Sequence, residues 1–307
     1  MAIQKDLDAH YTVMDKLFRY SIGDMGAYSC ARYDGDFSMK LIDAQEKKHE
    51  FIVKHLGIGK GTKVLDLGCG WGAFLKYIND LGADGHGVVL AKGQADACIK
   101  NGLKVKHMDS KLVNEDTFGT KFDVITAMGS PEHLCSIEEY KAGKQDEIYR
   151  NYYQQLSDLI PVGGKIYIQT MVFGKNVMPL DQIPFGNVDL YKDEFTDPEI
   201  LAILCDVFPG SWLPYGSEQM IETAKPHFKL LSNDCGRLDY METIRQWTKK
   251  FKEYHFQKYL LYASFAPKYI SSKHFRHWLR RFFIGANIIT FQREILDHYR
   301  MVFEKVE

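Results

Sequence analysis

The nine residues Val64-Leu65-Asp66-Leu67-Gly68-Cys69-Gly70-Trp71-Gly72 constrain this chain more than any other segment. An apolar run that closes on an acid and three glycines predicts a buried strand turning sharply into a helix, because glycine lets the backbone approach a ligand closely. A nucleotide-like cofactor site is therefore expected at this turn.

The flanking pattern supplies the rest of a sheet. Strands are predicted at 62–67, 85–90, 103–108, 122–128 and 164–172, with helices starting at about 71, at 93–101 and at 136–158. Such alternation specifies a mostly parallel sheet with helices on both faces. Upstream, helical spacing at 4–20 (Leu7, Val13, Met14, Leu17, Phe18) and 38–56 (Leu41, Ile42, Phe51, Ile52, Leu56) brackets a loop carrying Tyr28-Ser29-Cys30-Ala31-Arg32-Tyr33. Beyond residue 173, a segment rich in proline, glycine and aromatics (Pro179, Pro184, Phe185, Pro209, Trp212, Pro214, Tyr215) reads as an inserted cap. A strand is expected at 228–231, helices at 239–262 and 272–284, and a last strand within 295–303. The expected units are 1–60, helices covering the cofactor; 61–173, the binding core; 174–226, the cap; and 227–307, the return to the core.

Composition excludes several classes. With 307 residues, 45% hydrophobic and 26% charged, the chain can bury a sizeable core. A net charge of -1 argues against wholesale nucleic-acid binding. No run reaches membrane-spanning length and Met1-Ala2-Ile3-Gln4-Lys5-Asp6 lacks a signal-peptide core, so a cytoplasmic protein is expected. The cysteines Cys30, Cys69, Cys98, Cys135, Cys205 and Cys235 show no metal or disulfide spacing, so reduced thiols and no metal site are expected. One bias stands out: from Arg245 to Arg281 there are ten Lys/Arg residues against the single acid Glu253, interleaved with aromatics. The bland reading is a solvated face over an aromatic core. The functional reading is a surface over 245–281 that meets a membrane or takes an anionic or carrier-bound amphiphile.

The glycine turn also satisfies the G-x-G-x-x-G/A pattern of dinucleotide enzymes through Gly68, Gly70 and Ala73. A dinucleotide site wants an acid at the end of the second strand, where this chain has Val88-Val89-Leu90-Ala91. Asp66, just before the glycines, is placed to face a ligand amine instead of a pyrophosphate. S-adenosylmethionine carries an α-ammonium, a sulfonium and no phosphate, and it suits such an acid. A helix-capping carboxylate is the structural alternative for Asp66.

Further motifs stand in order along the chain: His10-Tyr11, Tyr28-Ser29-Cys30-Ala31-Arg32-Tyr33, Ala44-Gln45-Glu46-Lys47-Lys48, Leu65 to Gly72, Glu132-His133 and Pro226-His227-Phe228. In these the chain resembles the cyclopropane-fatty-acid synthase family, including the mycolic acid cyclopropane synthases. The resemblance implies a Rossmann-like class I methyltransferase fold, with a mostly parallel seven-stranded sheet, helices on both faces, N-terminal helices and an inserted helical cap. It assigns S-adenosyl-L-methionine contacts to Tyr28, Ser29, Asp66, Gly68, Cys69, Gly70, Trp71 and Gly72, and to the turn with Val89, Leu90 and Gln94. Where the family usually has hydroxyls in that turn, this chain has Val89 and Ala91. Asp109 and Ser110 are the expected adenine-edge site, since a carboxylate accepts from an exocyclic amine.

Methyl transfer chiefly requires donor and acceptor to be held in line. An alkene acceptor passes through a carbocation, which needs aromatic faces and then a base. In the cyclopropane synthases the resemblance implies a bound bicarbonate held by the loop cysteine, the glutamate of Glu-His, a strand-end histidine and a late-helix tyrosine. Here Cys30 and Glu132 match, Gln169 replaces the histidine, and an ungapped reading puts Phe282 or Phe283 at the tyrosine. This weakens the case for bicarbonate and favours carbon methylation of an unsaturated lipid, isoprenoid or polyketide-like substrate. Glu132 is then the expected base, with His133, Gln169, Cys30 and Tyr33 beside it; Tyr33, Tyr11 and Trp71 are candidates to flank the sulfonium. Ring closure on an acyl chain, N-methylation of a small amine, and a cofactor-binding protein without catalysis are the alternatives.

Overall fold

The computed structural model describes residues 17–23, 26–207 and 210–306. Much of the helix expected over 4–20, with His10 and Tyr11, lies outside the described residues; 17–22 are helical.

Seven strands form one sheet in the order β3-β2-β1-β4-β5-β7-β6. These are β1 (Lys63–Leu67), β2 (Asp84–Val89), β3 (Lys104–His107), β4 (Val124–Met128), β5 (Lys165–Phe173), β6 (Phe228–Cys235) and β7 (Leu296–Lys305). β1 to β5 run parallel, and β7 lies antiparallel between β5 and β6. Val64, Leu65, Asp66 and Leu67 are all buried because β1 is central and covered on both faces.

The connecting helices follow the apolar periodicity. On one face lie α1 (Leu41–Leu56), α2 (Ala73–Asp80) and α3 (Lys92–Lys100), whose Ile52, Leu56, Phe74, Leu75, Ile78 and Cys98 pack with Val64, Val124 and Tyr167. On the other, α4 (Gln145–Leu159) and α6 (Gly216–Ala224) bury Tyr149, Tyr153, Leu156, Met220 and Ala224 against Leu65, Ile125, Ile166 and Phe303. A third cluster gathers around Trp212, where α5 (Asp197–Val207) meets α10 (Ala286–Gln292) and Trp247 of α7 (Arg237–Lys252). Residues 174–226 therefore divide between the Trp212 cluster and the underside of the sheet.

Two expected helices are each two. The stretch 136–158 breaks at Gly143, whose φ of 70° is left-handed, separating Ile137–Lys141 from α4. The stretch 239–262 breaks after Lys252; α8 (Phe256–Ser271) then starts anew, and its buried Lys258 donates to the carbonyls of Lys250 and Phe251 at 3.1 and 3.2 Å. That ammonium satisfies carbonyls left open at the end of α7. α9 (Lys273–Ile284) follows directly.

Arg300, in the middle of β7, is 1% exposed. Its Nη2 donates to Asp239 Oδ2 at 2.7 Å and to the carbonyl of Ala31 at 2.6 Å, while Nη1 reaches Asp234 Oδ2 at 3.1 Å. One guanidinium thus joins β7, β6, α7 and the loop at 28–33. Removing one partner of such a pair strands a buried charge, so Asp239→Ala is expected to lower unfolding free energy by roughly 3–5 kcal/mol in urea denaturation. A loss below about 1 kcal/mol would refute the tether, since that is the range of exposed pairs.

Candidate active site

The strand order reverses between β1 and β4, and in an open α/β sheet the crevice at the carboxyl ends of those strands is where ligands bind. The turn after β1 and the Pro131–His133 turn after β4 both stand there.

The glycine turn is shaped for close approach. Gly68 has φ 85°, and a Cβ on it would lie 2.6 Å from Ser130 Cβ, so no side chain fits. Its N–H and that of Cys69 both donate to the carbonyl of Val88, at 2.9 and 3.1 Å, fixing the turn to β2. Gly70 also has positive φ, 54°, and no atom lies within 4 Å of where its side chain would begin, which leaves open space over the turn. Gly72 closes the turn and precedes α2. Trp71 is buried with Leu17, Phe18 and Ala97, so packing accounts for it.

Asp66 is buried beneath this turn, and its Oδ1 accepts from Thr126 Oγ1 at 2.7 Å. Burial pushes its carboxyl up to about 6. A cation placed against it would favour the ionised form. A buried carboxylate under an open glycine turn fits a cofactor carrying an ammonium and a sulfonium.

The loop before α1 forms the opposite wall. The Tyr28 ring stacks on Trp247 at 4.6 Å and meets Phe18 at 4.0 Å. Ser29 Oγ accepts from Lys48 Nζ at 2.7 Å. In the turn after β2, Val89 is buried, Leu90 exposed and Gln94 half-buried. Asp109 uses Oδ1 to cap the turn at Ser110–Leu112 by accepting the Lys111 N–H at 2.9 Å, and the Ser110 carbonyl accepts from Gln155 Nε2 at 2.8 Å. Both thus have structural duties at the place expected for an adenine edge.

On the acceptor side, Glu132 Oε1 accepts the Met171 N–H at 2.9 Å, joining the turn after β4 to β5. Burial pushes its carboxyl up to about 8, against the opposing effect of that hydrogen bond. Solvent still reaches Glu132 and His133 although protein atoms surround them, the condition of side chains lining a cleft. The His133 Nδ1 pairs with Ser211 Oγ at 2.8 Å. Gln169 is buried, donating to the Cys30 carbonyl at 3.2 Å and accepting from Tyr167 Oη at 2.9 Å. The Cys30 thiol lies 3.4 Å from Arg300 Nη2, and burial nevertheless pushes it up to about 12, so it stays protonated. Tyr33 packs with Ala31 and Ala44 behind the loop, its N–H donating to Asp239 Oδ1 at 3.1 Å.

The side chains that pattern reading passed over are Lys48, Asp239, Tyr240, His298 and Arg300. Tyr240 is half-buried with Glu132, Tyr28 and Cys30 as its electrostatic neighbours, and its ring is 5.0 Å from that of His298. Phe283 is instead largely exposed on α9, and Phe282 packs toward the Leu17 and Phe18 cluster. Of the late-helix aromatics it is Tyr240 on α7 that lies within the electrostatic reach of Glu132, whereas Phe282 and Phe283 stand on α9 with other neighbours. A signal existed: Asp239 and Thr243, like Tyr240 and Trp247, share helix faces one and two turns apart. Arg300 was a lone charge before Met301-Val302-Phe303, the mark of a buried ion pair. Among the described residues, no group of three His, Cys, Asp or Glu stands ready to hold a metal.

The mycolic acid cyclopropane synthetase family matches residues 2–280. Cyclopropane mycolic acid synthase 3 of Mycobacterium tuberculosis is 26% identical over 250 residues, covering 79% of this chain and 80% of that protein. The structure of the cyclopropane synthase MmaA2 from Mycobacterium tuberculosis superposes with a TM-score of 0.74 at 22% identity, covering 99% of both chains. That of mycolic acid cyclopropane synthase CmaA1 complexed with SAH and CTAB gives 0.70 at 21%, again over 99% of both. At these identities the two structures establish the class I methyltransferase fold. The chain belongs to the mycolic acid cyclopropane synthetase family and is a methyltransferase that uses S-adenosyl-L-methionine.

Proposed function

We propose that this enzyme methylates a carbon of an unsaturated lipid, isoprenoid or polyketide-like chain through a carbocation, with Glu132 as the base that receives the released proton. The observation that carries this reading is the pairing of a Glu132 carboxyl raised to about 8 with a Gln169 already committed to Tyr167 and Cys30. A carboxylate of that basicity accepts a proton near neutral pH, whereas an amide side chain does not. When bound, S-adenosyl-L-methionine supplies a methyl group activated by its sulfonium. Tyr28, Ser29, Asp66 and the Gly68–Gly72 turn hold it, with Gln94 and the Asp109–Ser110 turn at its nucleoside end. Tyr28 and Tyr240 offer aromatic faces to the cationic acceptor. His133 orients the turn through Ser211. The mycolic acid relatives and the CTAB complex of CmaA1 support a long-chain acceptor. Ring closure is the second reading, favoured by Cys30, Glu132 and Tyr240 standing together as in the cyclopropane-forming set, and it would bring bicarbonate back beside Gln169.

Product from an alkenyl lipid gains CH2 in either carbon reaction, so proton NMR distinguishes them. A methyl branch is expected; cyclopropane protons at high field would replace the first reading by the second, and methylation of an amine alone would reject both. Glu132→Gln is expected to lower kcat by roughly 10²–10⁴ with S-adenosylhomocysteine affinity retained. In the parent enzyme the Glu132 carboxylate must be ionised, so kcat should rise tenfold per pH unit up to about 8 and then level off. An unchanged rate in the variant would remove Glu132 from the mechanism.

Asp66 gives a second test. Its carboxyl is more basic folded than unfolded, so its stability contribution is intact below about pH 4 and is lost as pH climbs through about 6. Asp66→Asn is therefore expected to stabilise the cofactor-free protein at pH 7 by about 3 kcal/mol while weakening S-adenosylhomocysteine. Calorimetric titration that finds unchanged affinity would place the ammonium elsewhere.

The surface over 245–281 extends this reading to an anionic bilayer as the source of acceptor. Tyr254, Phe256, Tyr259, Leu260 and Ile270 are exposed there, beside Lys249, Lys250 and Lys252. Basic residues near an anionic surface contribute about 1 kcal/mol each and exposed aromatics anchor at the interface. No helix among the described residues is long and apolar enough to cross a membrane. Co-sedimentation with phosphatidylglycerol vesicles is expected, at least tenfold weaker with phosphatidylcholine or after changing the three lysines to Gln. Absence of binding to either vesicle would assign the surface to a soluble acceptor.

A further inference from the structure

We infer that Lys48 and Gln45 form a positioning clamp that sets the cofactor half of the loop at 27–33 independently of its acceptor half. The inference rests on the proposed place of Tyr28 and Ser29 in the cofactor site. Gln45 and Lys48 lie three residues apart on α1 and so share one helix face. Lys48 Nζ donates to Ser29 Oγ and to Gln45 Oε1, both at 2.7 Å. Gln45 Nε2 in turn donates to the carbonyl of Ser29 at 2.8 Å and to that of Ala27 at 3.3 Å. The backbone on both sides of Tyr28 is therefore fixed from behind by two side chains, each itself buried, while its ring faces Trp247 and Phe18.

The side chains that grip the second half of the loop come from other elements. The Ala31 N–H donates to Thr243 Oγ1 at 3.0 Å and the Tyr33 N–H to Asp239 Oδ1 at 3.1 Å, both on α7. The Ala31 carbonyl accepts from Arg300 on β7 and the Cys30 carbonyl from Gln169 on β5. The side chains of α1 thus set Ala27 to Ser29, whereas the side chains that hold Cys30 to Tyr33 come from α7, β5 and β7, with α1 adding one backbone bond from the Arg32 N–H to the Ala44 carbonyl at 3.0 Å. The division falls between the residues assigned to cofactor and those assigned to acceptor.

A packing role alone does not explain a fully buried lysine. The ammonium donates to a hydroxyl and an amide, and burial pushes it down to about 7. An apolar side chain of similar length would fill the same space without the desolvation penalty. What such a side chain cannot do is hold Ser29 Oγ and the Gln45 amide in one orientation. The donors are what the site retains.

The clamp predicts a split in kinetic effects. Lys48→Met is expected to keep or raise the melting temperature, to raise KM for S-adenosyl-L-methionine and Kd for S-adenosylhomocysteine at least tenfold, and to change kcat at saturation less than threefold. Gln45→Ala is expected to show the same pattern should Lys48→Met fold poorly. Because Lys48 acts through Ser29, Lys48→Met combined with Ser29→Ala should weaken S-adenosylhomocysteine no more than the weaker-binding single variant. Additive losses, or a fall in kcat as large as the rise in KM, would overturn the clamp. Tyr28→Ala separates the two layers of the argument. If it weakens S-adenosylhomocysteine while Lys48→Met does not, the clamp fails and the cofactor assignment stands; if it leaves affinity unchanged, the loop's assignment to the cofactor fails and the clamp with it.

Discussion

The buried guanidinium of Arg300 is the contact on which the arrangement of this site depends. It ties the seventh strand to Asp239 on α7, to Asp234 on β6, and to the carbonyl of Ala31 in the loop that precedes α1. β7 already packs with β6 in one apolar cluster and with α7 in another, and the guanidinium adds the loop at 28–33, which packs separately. Burying an arginine is expensive unless its donors are matched, and here two carboxylates and a carbonyl take up Nη1 and Nη2 while Nε is left without a partner among the described residues. The same group stands 3.4 Å from the Cys30 thiol without ionising it, because desolvation outweighs the attraction. Cys30 is thereby held as a neutral, small, oriented group at the wall of the cleft.

Around that anchor the polar interior is arranged in opposed pairs of effects. Asp66 and Glu132 are both carboxyls displaced upward by burial, and Lys48 is an ammonium displaced downward by the same cause. Each is less stable in its charged form than it would be in water, and each lines or backs a place where a charge must arrive or leave. A cation placed against Asp66, or a proton taken up by Glu132, relieves that cost, so the proposed roles of both carboxyls draw on stability given up in the empty protein.

Much of this was legible in the residues. The strand-turn-helix at 64–72 announced itself because the glycines have a steric reason to be there, and all seven strands fall within a few residues of their expected bounds. Glu132 was singled out by the Glu-His motif that this chain shares with the family it resembles. What pattern reading cannot supply is long-range pairing. Arg300 and Asp239 are 61 residues apart, and Arg300 and Ala31 are 269 apart. Tyr240 was passed over because an ungapped count back from Met301-Val302-Phe303 lands on α9 instead of on α7. Lys48 was quoted within a motif, yet nothing local distinguishes it from the exposed Lys47 beside it.

The antiparallel β7 has a consequence for the order in which the molecule can be made. It is inserted between β5 and β6, so the sheet stays split until β7, which follows both in the sequence, has been made. Before then the loop at 28–33 has no arginine to close on, and the Arg300 counter-charge of Asp239 is missing. A growing chain therefore carries an unfinished sheet until β7 emerges and inserts between strands made earlier.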